Sequence, residues 1–130
     1  MVVGLSAPAL MALRGTDSGP RVARSPTEAV LLFHEARDQH DCEQFRLVTT
    51  AEYRSANWAS SCAEFEEFLQ RMELVGAPSQ EIVAAHPGAD GTHEVEVLWT
   101  FESGRDPMDT TLVVVRDGDL WMVDWLLLYQ

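Results

Sequence analysis

The last fourteen residues, Asp117 to Gln130, constrain this chain more than any other stretch. Trp121, Val123, Trp125, Leu127 and Tyr129 share one parity, and a strand sends residues of one parity to a single face of its sheet. Asp117-Gly118 in front supplies the positive φ that a two-residue hairpin needs, so this strand is expected to fold back on residues 110–116. An aromatic ridge at the end of a chain has to be covered. The residues before it read as that cover.

Ser25-Pro26-Thr27-Glu28 can cap a helix at Ser25, open it with Pro26 and complete a capping box through Glu28. The period predicts a helix to about His40, with Val30, Phe33, Arg37 and His40 on one stripe and Ala29 and Ala36 beside it. Asp41-Cys42-Glu43-Gln44 repeats the device and starts a short helix bearing Phe45 and Val48. Thr50-Ala51-Glu52-Tyr53 reads as a further helical turn, and residues 55–60, with Trp58 among them, as irregular. Ser61-Cys62-Ala63-Glu64 gives a third capping box. It predicts a helix to about Val75 with Phe65, Phe68, Leu69 and Met72 on its stripe, closed by Gly76 and Pro78.

After Pro78 the period changes to two. Gln80 to His86 is a first strand, broken by residues 87–91. Thr92 to Glu102 alternates, with Val95, Val97, Trp99 and Phe101 on one face and Glu94, Glu96, Thr100 and Glu102 on the other. Residues 103–107 make a turn, and Met108 to Arg116 a third strand. Helices followed by an antiparallel meander define an α+β domain. One face of a four-stranded sheet needs a cover, and the three amphipathic helices are the candidates. The outward glutamates mark the other face as solvated or as an interface.

The chain of 130 residues fits one domain with a real core. Its 21 acidic residues face nine basic ones, all arginine, for a net charge of −12. That balance excludes nucleic acid as an expected partner and disfavours anionic lipid, since both need clustered cations. Met1 to Leu13 is uncharged and mostly apolar, yet too short to span a bilayer and without the basic start of a signal peptide. Two readings stay open: the end of an export or anchor helix that begins upstream of the given start, or a frayed terminus. Residues 1–24 are therefore expected to be anchor or linker, and residues 25–130 the domain.

The order of elements resembles the NTF2-like, or cystatin-like, superfamily. The likeness covers residues 25–130. It rests on the Ser25-Pro-Thr-Glu opening, on Asp41-Cys42 followed by Leu47-Val-Thr-Thr and Tyr53, and on Asp117-Gly-Asp-Leu-Trp121-Met-Val123. The resemblance implies a cone of helices packed in the concave face of a bent antiparallel sheet of four or more strands. Such a cone would enclose a cavity, with Phe33, Arg37, Tyr53, Phe65, Trp99, Trp121, Trp125 and Tyr129 as the expected lining. The short strand expected between the second and third helices is not evident in residues 55–60. The spacing of Cys42 and Cys62 looks like that of extracytoplasmic actinobacterial members, in which a cystine ties the second helix to the third. Both cysteines also fall at first positions of helices, where a free thiol would be acidified. Buried free thiols in a cytoplasmic protein are the alternative.

The catalytic candidates are Asp124, His40 and Tyr53. A carboxylate in an apolar cavity acquires the raised pKa that proton abstraction needs. The parity of Asp124, however, is opposite to that of the tryptophan ridge, which turns it outward. Tyr53 and Tyr129 could donate to an oxyanion, and Arg37 and His40 could meet a ligand at the cone's mouth. No Asp-Arg-Asp or His/Asp set assembles from the residues. A zinc site from His40, Cys42, Cys62 and His34 or His93 matches no compact ligand spacing, and a cystine would abolish it. No phosphate loop, nucleophile elbow or His-Glu-x-x-His motif occurs, and no cofactor is expected.

The sequence therefore leads to a non-catalytic domain outside the membrane that binds a small apolar molecule or a protein partner. Family likeness adds a homodimer through the open sheet face. A small isomerase or cyclase, and an assembly domain with a filled core, are the alternatives.

Overall fold

The computed structural model describes residues 19–129 apart from positions 75, 77 and 103, and for positions 127–129 it describes the backbone only. The apolar segment Met1–Leu13 lies outside the described residues. Each helix begins where a short polar side chain accepts an otherwise unpaired amide. Helix α1 spans Pro26–Asp38, with Ser25 Oγ accepting from the Glu28 amide at 3.1 Å. Helix α2 spans Cys42–Leu47, capped by Asp41 through the Gln44 amide at 3.1 Å. Helix α3 spans Ala51–Ala56, capped by Thr50 through the Tyr53 amide at 3.1 Å. Helix α4 spans Cys62–Leu74, where Ser61 accepts from the Glu64 amide at 3.1 Å. Glu28 and Glu64 reach back one residue beyond their expected boxes, to the amides of Arg24 at 2.7 Å and Ser60 at 3.0 Å.

The second half of the chain forms strands β1 (Ser79–Pro87), β2 (His93–Thr100), β3 (Met108–Asp117) and β4 (Leu120–Tyr129). They lie in the order β1-β2-β3-β4 with every neighbour antiparallel. Gly118, at φ +64°, makes the turn that pairs Asp117 with Leu120. Among the described residues the result is an α+β arrangement of four helices and an open four-stranded sheet. Val95, Val97, Leu112, Val114 and Val123 of the inner face are fully buried against Ala29, Val30, Phe33 and Phe65 of the helices. Phe101 falls just past the end of β2 rather than within it, half-buried beneath Arg105, whose guanidinium lies 4.6 Å from the ring centre.

The single-parity ridge of β4 does not survive. Val114 pairs with Val123 and Val113 with Trp125, which leaves Asp124 as an extra residue in a β-bulge. A bulge shifts the alternation by one residue, so Trp125 and Leu126 exchange the faces expected of them. Trp121 and Val123 are buried on the inner face. Beyond the bulge Leu126 packs toward the core, opposite Leu112, whereas Trp125 is 48% exposed. Trp125 is thus removed from the expected cavity lining. The side chains of Leu127 and Tyr129 lie outside the described residues.

The free edge of β4 is occupied by other parts of the chain. Trp121 N donates to Ala23 O at 3.0 Å, Val123 N to Val48 O at 2.7 Å, and Thr50 N to Val123 O at 3.0 Å. Gln44 clamps the Arg21 backbone with two hydrogen bonds of 2.7 Å. The packed domain therefore begins before Ser25: Ala23, assigned to the linker on sequence, is buried.

Cys42 and Cys62 form a disulfide with Cα atoms 5.6 Å apart. It joins the first turns of α2 and α4 and closes a ring containing α3 and Trp58. Among the described residues no helix is long and apolar enough to cross a membrane.

Candidate functional site

Aromatic rings pack together between helices and sheet. Phe33 contacts Phe45 and Tyr53 at centroid distances of 5.5 Å each, and Phe45 contacts Phe65 at 4.6 Å. Beside this cluster lies a pocket of about 10 Å³, lined by Phe45, Tyr53 and Phe65 among others. That is close to the minimum for a single water molecule. Phe33, Tyr53, Phe65, Trp99 and Trp121 are all buried on this side, with Arg37 among them. They pack against the core, and the pocket beside Phe45, Tyr53 and Phe65 is too small for a ligand.

Asp124, His40 and Tyr53 share no hydrogen bond with one another. Asp124 Oδ1 accepts from Thr50 Oγ1 at 2.7 Å, at the cap of α3. His40 binds Glu66 at 2.5 Å through Nδ1 and Glu73 at 2.6 Å through Nε2. Ionised carboxylates only accept, so the two contacts favour the doubly protonated imidazolium. Those two carboxylates raise its pKa above the usual histidine value. Tyr53 is buried, and desolvation pushes its pKa up to about 12. Cys42 and Cys62 are spent in the disulfide, which withdraws the thiolates from the weighed zinc set. No group of three His, Cys, Asp or Glu side chains converges as a metal site among the described residues.

An open apolar concavity lies outside the core. Trp58, Phe68, Arg71 and Met72 line an open groove of about 530 Å³ between the α3–α4 connection and α4. Trp58 reaches it from an unusual backbone. Asn57 ends α3, Trp58 follows at φ +53°, and Ala59 N bonds back to Arg54 O at 2.8 Å. This is a Schellman ending with tryptophan where glycine normally stands. A bulky residue at positive φ costs on the order of 1 kcal/mol. His40 occupies the same position after α1, at φ +56°, with Asp41 N bonded to Ala36 O at 2.8 Å. Its strain is offset by the two glutamates. Trp58 has no such compensation, because its side chain stays 66% exposed.

Sequence reasoning placed Trp58 in an irregular stretch and assigned it no role. The available signal was Asn57-Trp58 directly after a helical pattern, where a positive-φ terminus favours glycine.

No protein-family model matches the chain, and no curated protein proves significantly similar to it.

Proposed function

We propose that the chain is a non-catalytic, NTF2-like binding domain acting outside the membrane, and that it engages a protein partner through the Trp58 groove. The observation that carries this reading is Trp58 itself: a strained, exposed indole over an apolar groove. Tryptophan surrounded by apolar surface is the typical dominant residue of a protein interface. The disulfide ring around Trp58 preorganises it and fits an oxidising compartment. Two sheet bulges, at Ile82/Ala84 and at Asp124, support the bent sheet of an NTF2-like cone. With a charge of −12 and Glu64, Glu67 and Glu73 exposed on α4, the complementary partner is a segment with a large apolar anchor and basic flanks.

Photo-crosslinking in the producing cell tests this reading. Benzoylphenylalanine at position 58 is expected to trap one discrete protein species, and the same probe at Asp90, in the β1–β2 connection, none. Lipid-sized adducts alone, or an identical pattern from both positions, would overturn it.

A further inference from the structure

Arg37 is a buried cation without a buried anion. Its side chain is 8% exposed, and no carboxylate lies within ion-pair distance among the described residues. Its one side-chain hydrogen bond among the described residues runs from Nη2 to Met72 Sδ at 2.9 Å, and a thioether is a weak acceptor. The guanidinium also lies 5.4 Å from the ring centre of Phe33 and 5.7 Å from that of Trp99. Cation–π contacts of this kind recover part of the desolvation penalty but satisfy no N–H donor.

Two aromatic neighbours of Arg37 carry donors rather than anions. Trp99 Nε1 is buried with no hydrogen-bond partner. Tyr53 keeps its proton throughout the physiological range and so supplies no negative charge. The guanidinium and the Trp99 indole thus lie side by side, and among the described residues no carboxylate pairs directly with either. A cavity of about 90 Å³ reaches Arg37 between α1, α4 and the start of β1. Leu69, Met72 and Pro78 form its apolar wall, Gln80 adds an amide, and Asp38 and Glu73 carry carboxylates.

We infer that this cavity binds a small monocarboxylate, whose oxygens replace the Met72 thioether as acceptors for Arg37. A carboxylate supplies both the missing charge and a bidentate match to the guanidinium. The apolar wall takes a short alkyl chain. Asp38 and Glu73 set the upper limit on charge: Glu73 is partly neutralised by His40, and a doubly charged ligand would meet repulsion from both. Methionine is suited to withdraw, having an unbranched and adaptable side chain. This site is distinct from the Trp58 groove and does not depend on partner docking, although Met72 borders both.

The test is an NMR titration of the intact protein at fixed ionic strength, following the indole N–H of Trp99, assigned with Trp99→Phe. Butyrate is expected to shift that resonance to saturation, while butyramide and inorganic phosphate leave it in place. Arg37→Met should abolish the response. Because that variant risks the fold, Met72→Leu provides the independent arm: removing the competing acceptor should tighten butyrate binding about two- to five-fold. No saturable response to butyrate, an equal response to butyramide, or loss of binding in Met72→Leu would each overturn the inference.

Discussion

Thr50 Oγ1 donates to Asp124 Oδ1 at 2.7 Å and accepts the Tyr53 amide at 3.1 Å, so one hydroxyl joins the β4 bulge to the start of α3. Asp124→Ala leaves that hydroxyl a cap but removes its acceptor, and should destabilise by about 1–2 kcal/mol. Thr50→Ala loses cap and bridge together, and should cost about 2 kcal/mol. The two changes should be clearly non-additive in a denaturant double-mutant cycle, because they break the same bond.

The bulge also shows where the sequence stopped being legible. Helix starts, the order of strands and the β3–β4 hairpin follow from caps, period and Asp117-Gly118, all of which are local. The cystine, suggested by family likeness, is present. Trp125 was misplaced because alternation counts residues and cannot see one that opposes nothing. Asp124 was visible as a polar interruption, yet a bulge and a catalytic carboxylate leave the same trace in a string of letters. The packing of Phe33, Phe45, Tyr53 and Phe65 depends on how four rings interlock, which no periodicity encodes. Trp58 was missed because its meaning lies in a backbone angle.

Two histidines should bend the pH–stability curve in opposite senses. His34 is buried, with Nε2 unpartnered, and desolvation lowers its pKa to about 4, helped by nearby Arg37. Its folded value lies below the unfolded 6.5, so the unfolded state binds the extra proton between pH 6.5 and 4. Stability present above pH 6.5 is therefore lost on acidification, by about 3 kcal/mol at pH 4. His34→Phe should flatten that acid limb in urea titrations.

His40 works the other way. Its folded pKa is raised by Glu73 and Glu66, so its contribution is full below the unfolded value of 6.5 and disappears as pH rises through the folded one. His40→Asn keeps a residue tolerant of positive φ and removes the cation. The variant should lose the decline in stability above neutral pH while leaving the acid limb unchanged.

The disulfide closes a ring across a sequence separation of 20, which in the chain-entropy model stabilises by about 3 kcal/mol. Cys42→Ser with Cys62→Ser should lower the unfolding free energy by about that amount, as should reduction of the wild type. A change below about 1 kcal/mol would mean that the α2–α4 junction is held by other contacts.

Trp58→Gly separates a functional from a structural role. Glycine accepts the Schellman position without strain, and little buried surface is lost with an exposed indole. Chemical denaturation should show the variant equal to wild type or more stable by up to about 1 kcal/mol. A loss above about 2 kcal/mol would mark Trp58 as a structural residue.

The most direct measurement is calorimetric titration of the protein partner trapped at position 58 into wild type and Trp58→Gly. The account predicts at least about 30-fold weaker binding to the variant, the size of an interface tryptophan, with no loss of folding stability. Equal affinity for both proteins would contradict it.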